Sequence, residues 1–525
     1  MDVLIIAGVS KAKGSQFSVK KGVHLSQNGM ILSYANLQKY FGLPVSSGAI
    51  DANVPYLAGI YLYNYLSRRG VSCGLISFLD LELEHFETLL QQKPKAIALS
   101  TTFMTSIKTV RIVTTIIRKY APDIKIILGG PLVYNSYLLY QMTDGDYEVE
   151  PCAEDYFFVN KEKLFHEDID LFVVEEQGEN TLFQIISAIK DGRNISTIPN
   201  LAYYNNDNQL IFTARVSENN SFDDDIVKWS DVPSEFLYPI FPVRGSRGCP
   251  YKCAYCNFCN GRKFRLKSAD IIAREVSALI DTGKVKMIRF TDDNLFLTRK
   301  HVEEYCSKFI ATGREFKWNS FIRASSITKD NVQLLKDSGC VLTQIGMESG
   351  SREILQGMNK KDTPEHYLEV IELLNSHGIS TQLYFIVGFP GETEKTMQET
   401  INMINLFAHD GPAINTIMIF PFVLAPLAPI YTPEYRKKYN LRGYMTNWIH
   451  DTMDFQRAYQ LAQQFYLQLE NIHPFYGIEE FVTVEIAKLK RVAQLRTQIR
   501  RAEIMGSSSV ELEQCWQELK NVVAS

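Results

Sequence analysis

The 525-residue sequence has no surplus of positive charge: 55 lysines and arginines face 59 aspartates and glutamates, a formal net charge of −4. A broad electropositive surface for nucleic-acid phosphates is thereby excluded, and nucleic acid is not expected as a partner. A secretory start is also missing. Met1-Asp2-Val3-Leu4-Ile5-Ile6-Ala7-Gly8 has an acid where a signal peptide needs bases, and its short apolar run reads as a buried strand. Long apolar stretches free of breakers are absent too. Pro412 to Tyr431 holds four prolines, Asn415 and Thr416, which suits a strand and its loop rather than a membrane span. Cysteines number nine, an odd count, and four of them fall between Cys249 and Cys259. Such spacing is no disulfide framework; it points to a metal site in a reducing compartment, and a cytoplasmic location is expected.

What is there is an ordinary globular composition, 46% hydrophobic and 22% charged. Short apolar runs at Val3–Ala7, Cys73–Ser77, Ala96–Ser100, Ile124–Leu128 and Leu171–Val174 alternate with helical periodicity over Tyr56–Arg69, Leu83–Gln91 and Ile107–Tyr120. This alternation predicts a doubly wound parallel sheet covered on both faces, with a ligand crevice beyond the strands' carboxyl ends. Those ends read Ser100-Thr101-Thr102, Gly129-Gly130-Pro131 and Glu176-Gln177-Gly178-Glu179-Asn180. Each segment alone would serve a tight turn; together they make a candidate ligand floor. Asn205 to Asn208 predicts a hairpin turn between Leu201–Tyr204 and Leu210–Phe212.

Strand–helix alternation resumes after Tyr238, with strands expected at Ile240–Val243, Met287–Thr291, Trp318–Ile322, Leu342–Gly346, Gln382–Val387 and Thr416–Phe420. Six βα units suggest a (β/α)6 partial barrel with its chemistry at the strands' C-terminal ends. Helices are expected over Ala487–Glu503 and Ser509–Val522. The domain plan is an α/β domain over 1–215, a linker at 216–236, the partial barrel over 237–430 and a helical C-terminal region over 431–525.

The segment Gly245-Ser246-Arg247-Gly248-Cys249-Pro250-Tyr251-Lys252-Cys253-Ala254-Tyr255-Cys256 places three thiols at C-x₃-C-x₂-C after a strand. A structural zinc site would want four ligands, and a fully capped iron–sulfur cubane a fourth thiolate. Three ligands leave one iron open to a substrate or cofactor. Cys259 offers a fourth, which would close the site; both arrangements remain open on spacing alone.

This loop resembles the cluster loop of the radical S-adenosylmethionine (SAM) superfamily, with Tyr255 in its aromatic place. Ile345-Gly346-Met347-Glu348-Ser349-Gly350 and Phe385-Ile386-Val387-Gly388-Phe389-Pro390-Gly391-Glu392 resemble later motifs of that family, and Thr291-Asp292-Asp293-Asn294 resembles an Asp-Asp-Asn motif of one subfamily. The N-terminal half is similar to the flavodoxin-like cobalamin (B12)-binding domain that precedes the barrel there. Pro55-Tyr56-Leu57-Ala58-Gly59, Leu128-Gly129-Gly130-Pro131 and Gln177-Gly178-Glu179 carry that likeness. There are departures: Glu176-Gln177-Gly178-Glu179 stands where Gly-Glu-Gly-Glu is common, Tyr134–Asp168 is an insertion, and no Asp-x-His-x-x-Gly offers cobalt a lower histidine.

The resemblance implies a [4Fe–4S] cluster on Cys249, Cys253 and Cys256, and SAM held by Tyr255, Arg323, Glu348, Ser349 and Gly388. Cobalamin would lie against Thr101, Thr102, Gly129, Gly130, Pro131, Gly178 and Glu179. Cleavage of SAM would give a 5′-deoxyadenosyl radical that takes hydrogen from an unactivated carbon. Asp293 would face the chemistry, although an Asp there also suits a helix cap. His450, in Trp448-Ile449-His450-Asp451, is a candidate acid or base, weighed against a satisfied core histidine. The implied activity is that of a cobalamin-dependent C-methyltransferase. Rearrangement, cyclisation or epimerisation is the alternative with the same radical, and a non-catalytic metal-binding protein the alternative without one. A methylthiotransferase is disfavoured because residues 1–240 hold only Cys73 and Cys152. A reductant such as flavodoxin or ferredoxin is the implied partner; the substrate, whether peptide, lipid, carrier-bound acid or small metabolite, is not legible.

Overall fold

A computed structural model describes residues 1–9, 23–45, 56–143, 149, 152, 154–159, 168–223, 226–258, 264–407, 411–506 and 509–525. The chain divides into two compact units, Met1–Gly14 with Pro55–Phe236, and Ser15–Val54 with Leu237–Ser525.

The first unit carries β1 (Val3–Ile6), β2 (Cys73–Ile76), β3 (Ala96–Ser100), β4 (Lys125–Gly129), β5 (Leu171–Val173), β6 (Leu201–Tyr204) and β7 (Leu210–Phe212), in the order β2-β1-β3-β4-β5-β6-β7. The first five pair in parallel, and β6 and β7 close the edge as an antiparallel hairpin. Strand order 2-1-3-4-5 is flavodoxin-like, and its crevice opens between β1 and β3, where the order reverses. β1 is apolar throughout because both its faces are covered. Leu4 and Ile6 join a core with Phe86, Val110 and Val113. On the other face Gly59 lets helix Leu57–Ser67 come so close that a Cβ there would lie 2.6 Å from that of Ala7. The expected linker is partly built in: buried Glu218 accepts from the Asn180 and Thr181 N–H groups at 2.9 and 2.7 Å, capping helix Glu179–Asp191.

In the second unit β8 (Ile240–Val243), β9 (Met287–Phe290), β10 (Lys317–Phe321), β11 (Cys340–Glu348), β12 (Ser380–Val387) and β13 (Asn415–Pro421) pair in parallel in chain order. They form the partial barrel, and a short β14 (His473–Pro474) adds one more parallel strand beside β13. Phe290 and Trp318 point outward onto Phe309 of helix Arg299–Ala311. By alternation Arg289 and Asn319 face the interior.

The amino-terminal ends of the strands are closed by an apolar plug. Ile240, Met287, Leu342 and Ile414 pack with Ile478, Phe481, Leu489 and Val492. Leu25, Leu32, Tyr34 and Leu37 belong to the same cluster, so residues 23–45 group with the second unit although the sequence plan put them in the first domain. Polar bonds secure them. His24 donates to the Phe475 carbonyl at 2.7 Å, the Leu25 N–H to the Tyr476 hydroxyl at 2.9 Å, and the Tyr34 N–H to Glu480 Oε1 at 2.7 Å. Glu480 in turn holds Arg496 through two bonds of 2.9 and 3.1 Å, with both side chains buried. Among the described residues no helix is long and apolar enough to cross a membrane, and Asn415–Pro421 is a strand.

Candidate functional site

The cysteine loop leaves β8 and is fastened at once to the end of β9. Buried Asp292 accepts from the Gly245 N–H at 3.2 Å and from the Ser246 N–H, and the Ser246 hydroxyl donates to the Asn294 carbonyl at 3.2 Å. Burial pushes the Asp292 carboxyl up to about 6, while the backbone N–H groups pull the other way. Further along, the Ala254 N–H donates to Met358, the Ala254 carbonyl accepts from Ile430, and the Asn359 amide donates to Lys252, at 2.8, 2.9 and 2.7 Å. Cys249, Cys253 and Cys256 lie on this pinned loop, none of them in a disulfide. Among the described residues no three or more Cys, His, Asp or Glu side chains are arranged to hold an ion. Each thiolate on a cubane binds a different iron, so this donor set suits a cluster without converging as it would around one zinc ion. Cys259 lies outside the described residues.

Glu348 is the most unusual residue of the site. The register of β11 against β12 shifts between Gly346 and Glu348, and Glu348 has φ +69°. A left-handed non-glycine residue stores about 1–3 kcal/mol and tends to occur at functional positions, and a bulge re-aims the side chain that follows it. Here the carboxylate folds back to accept from the Tyr255 hydroxyl at 2.7 Å and from Lys360 Nζ at 3.1 Å. Burial, then the Glu348 and Cys253 charges, hold the Tyr255 phenol well above its ordinary value, so it stays a donor. A Cβ on Gly346 would lie 2.3 Å from Glu348 Oε1. Gly346→Ala is therefore expected to displace that carboxylate and lower turnover by about 10²-fold with little change in melting temperature. Parallel assays of SAM cleavage and thermal unfolding check this.

Arg323 follows β10 and pairs with Asp362 at 3.3 Å, its guanidinium 3.8 Å over the Tyr251 ring and its Nε buried without a partner. Asp293 is exposed, whereas neighbouring Asn294 is buried with both amide atoms unpartnered. The buried Ser349 hydroxyl serves the turn itself, accepting from the Ser351 N–H at 3.1 Å and lying 3.2 Å from the Thr400 hydroxyl. Lys360 and Asp362 are the residues here that sequence reasoning did not single out, whereas Asn294 stood in the Asp-Asp-Asn motif.

Gly388 has φ +91°, and an added Cβ would meet that of Ala458 at 2.4 Å. His450 stacks on Trp448 with centroids 4.9 Å apart; its Nε2 donates to the Gly388 carbonyl at 3.1 Å and its Nδ1 accepts from Thr452 at 3.2 Å. With both nitrogens taken and burial lowering its pKa, His450 latches the Gly388 turn and has no free nitrogen for acid–base work. The same turn is held from inside by Glu392, which accepts the Gly388 N–H and is pushed up to about 7 by burial. Because the folded value lies above the unfolded 4.5, the folded state binds the proton more tightly. Its stabilising effect is full below about pH 4.5 and is lost as pH rises through about 7, a span worth about 3 kcal/mol. Glu392→Gln is expected to flatten that part of the stability–pH profile and to raise stability at pH 8, as urea unfolding at several pH values would show.

In the first unit, Thr101 is spent on the floor: its N–H and hydroxyl both donate to the Gly129 carbonyl, at 2.8 and 2.9 Å. Gly130, at φ +104°, admits no Cβ, which would meet Thr101 Oγ1 at 2.9 Å. Pro131 opens helix Pro131–Tyr140. Exposed Thr102 with half-buried Gly129, Gly130 and Pro131 makes a ledge poor in side chains, and beside it Tyr56 and Phe103 stack with centroids 4.0 Å apart. Gly178 and Glu179 belong to the helix end that Glu218 already caps.

Residues 243–404 match the family model of the radical SAM superfamily. An uncharacterized methyltransferase of Pyrococcus horikoshii is 27% identical over 235 residues, 44% of this chain and 51% of the relative. The bacteriochlorophyllide d C-12(1)-methyltransferase of Chlorobaculum tepidum is 31% identical over 188 residues, 35% of this chain and 41% of the relative. The chain thus spans about half the length of the curated relatives it matches. The radical SAM methyltransferase TsrM of Kitasatospora setae, solved with tryptophan and a SAM analogue, superposes with a TM-score of 0.63 at 14% identity, covering 96% of this chain and 98% of that one. A second TsrM structure holds cobalamin and a [4Fe–4S] cluster. At this identity the likeness establishes the fold.

Proposed function

We propose, from the premise that residues 243–404 form a radical SAM domain, that the chain is a cobalamin-dependent radical SAM enzyme methylating an unactivated carbon. The observation that carries the reading is the cysteine loop itself: it holds three thiols outside any disulfide, Asp292 fastens it, and its Tyr255 donates to Glu348, which also accepts from Lys360. When bound, the cluster with SAM supplies hydrogen abstraction from unactivated carbon, which no side chain can, and cobalamin supplies a methyl group.

The chain's own residues bind and position. Cys249, Cys253 and Cys256 would hold the cluster, and Asp292 fixes the path of the loop that carries them. Glu348, charge-paired with Lys360, and unpartnered Asn294 suit the ammonium and hydroxyl groups of SAM, and Arg323 its carboxylate. Ser349, Gly388 and His450 hold the surrounding turns in place. Asp293, exposed after β9, is the carboxylate that would face substrate. In the first unit the ledge of Thr101, Thr102, Gly129, Gly130 and Pro131, with stacked Phe103, suits a flat macrocycle, and Gly178 and Glu179 border it less directly. A flavodoxin- or ferredoxin-type donor in the cytoplasm would supply the electron.

The test is stoichiometry. Reduced holoenzyme with cobalamin and true substrate is expected to yield S-adenosylhomocysteine and 5′-deoxyadenosine in near-equal amounts. Sustained 5′-deoxyadenosine without S-adenosylhomocysteine would assign a rearrangement, cyclisation or epimerisation instead.

A further inference from the structure

Inside the partial barrel the second unit has a polar layer that neither the cluster loop nor the plug uses. Asn319 of β10 donates to Gln344 of β11 at 3.0 Å. Gln344 donates to Gln382 of β12 at 2.7 Å and to the Tyr384 hydroxyl at 2.8 Å. The Gln382 amide passes on to the Met418 sulfur at 3.0 Å. The Tyr384 hydroxyl accepts from Gln344 and meets the Gln382 side chain in the same sense, and among the described residues no hydrogen bond uses its own proton. Burial raises the phenol, and it remains protonated.

Arg289 lies in the same layer, in register with Asn319. Among the described residues its guanidinium has no hydrogen-bond or ion-pair partner; Tyr384, three strands away, and Glu479, on the plug, are the groups within electrostatic reach. An interaction spanning three strands has to cross the lumen. Glu479 is no full counter-charge, because burial and then Glu480 push it up to about 7. The lumen is also open to solvent: inward Arg289, Phe321, Tyr384 and Phe420 are all half-buried, while outward Ile288, Phe290 and Trp318 are sealed. Above the layer, Tyr384 is flanked by Phe321 at 5.2 Å and by Phe420, nearly parallel at 6.3 Å.

An uncompensated guanidinium with a phenol donor across from it is a receptor for an oxyanion, since a buried cation gains most from a bidentate carboxylate or phosphate. Phe321 and Phe420 above it, on either side of the Tyr384 ring, favour a flat apolar body. The geometry points to Arg289 and Tyr384 as the substrate-recognition pair: they take a carboxylate or phosphate carried by a planar, mainly apolar substrate that enters the lumen between Phe321 and Phe420. This rests on the reading of the barrel as the reaction chamber. SAM's own carboxylate is the competing source of charge. It belongs at the cluster loop, at the opposite end of the lumen from Glu479 and the plug, so the floor is left to substrate.

Equilibrium dialysis of the cluster-loaded full chain with indole-3-propionate, its methyl ester and phenyl phosphate tests this. The unmodified protein is expected to prefer the acid or the phosphate over the ester by at least about tenfold, the scale of one charge-assisted hydrogen bond. Whichever of the two binds more tightly identifies the oxyanion. Arg289→Gln should erase the preference, Arg289→Lys should keep part of it, and Tyr384→Phe, which leaves the fold's hydrogen-bond ladder with one acceptor fewer, should lower it about threefold. Equal binding of acid and ester, absence of saturable binding, or a preference surviving both Arg289→Gln and Tyr384→Phe would overturn the proposal. So would a loss that falls on SAM binding and spares the acids. Release of 5′-deoxyadenosine by the unmodified sample is read separately: its absence would sink the radical reading without touching the acid-over-ester preference.

Discussion

Alanine at Cys249, Cys253 or Cys256 is expected to leave the reconstituted protein without its cluster, taking about four irons per chain to near zero and SAM cleavage below detection. The loss should be complete at each position because three ligands have no redundancy. The loop itself should survive the change. Its path is set by Asp292 on Gly245 and Ser246, and by the bonds of Ala254 to Met358 and Ile430, none of which uses a cysteine side chain. Thermal unfolding of the cluster-free variants should therefore match that of cluster-free unmodified protein. Cys259→Ala is expected to retain iron and sulfide. If it loses them as fully as the other three, the site has four protein ligands, and the open iron on which the proposed function depends does not exist.

The second large effect lies far from the chemistry. Arg496→Ala is expected to cost about 3–5 kcal/mol, because it leaves Glu480 buried with no countercharge. Glu480 is 3% exposed and Arg496 0%, so water cannot compensate. The guanidinium also lies 4.1 Å over the Tyr476 ring, and that hydroxyl anchors Leu25. The loss should thus spread to residues 23–45, visible as faster amide exchange at Leu25 and Tyr34. A paired change, Arg496→Met with Glu480→Gln, should recover most of the stability, since it removes the orphaned charge with its partner. Urea midpoints of the three proteins decide the matter; a double variant no better than Arg496→Ala would mean that packing, not charge, is what is lost.

Most strands were legible because each is a short continuous apolar run between turn residues, the pattern that burial on both faces requires. Ala96–Ser100 and Ile240–Val243 coincide with their sequence expectation. β11 was expected to stop at Gly346 but continues to Glu348, because a bulge, which has no sequence signature, carries it on. Spacing pointed to Cys249, Cys253 and Cys256 as candidate ligands and the family resemblance to Glu348 and Arg323; the structure adds the bonds that position Glu348 and Arg323. Lys360 and Asp362 were not: Lys360-Lys361-Asp362 reads as a solvated charge run, and only contacts with Glu348 and Arg323 show otherwise. His450 illustrates the opposite case. A histidine beside an aspartate looks like chemistry until both ring nitrogens are seen to be engaged. Nothing local marks residues 23–45 as part of the second unit, since their partners lie some 450 positions away.

That separation has a consequence for how the chain is made. Leu25, Leu32 and Leu37 leave the ribosome early, yet the surface that buries them includes Phe481, Leu489 and Val492. At 5–20 residues per second the wait is roughly 20 to 90 s. Throughout it the nascent chain displays an apolar segment whose burial is incomplete, because Ile240, Met287, Leu342 and Ile414 of the same cluster come earlier but the covering residues come last. Synthesis speed and chaperone occupancy, more than the stability of the finished barrel, should then set the yield of active protein, and moving this segment to the C-terminus by circular permutation would be the direct way to shorten its exposure.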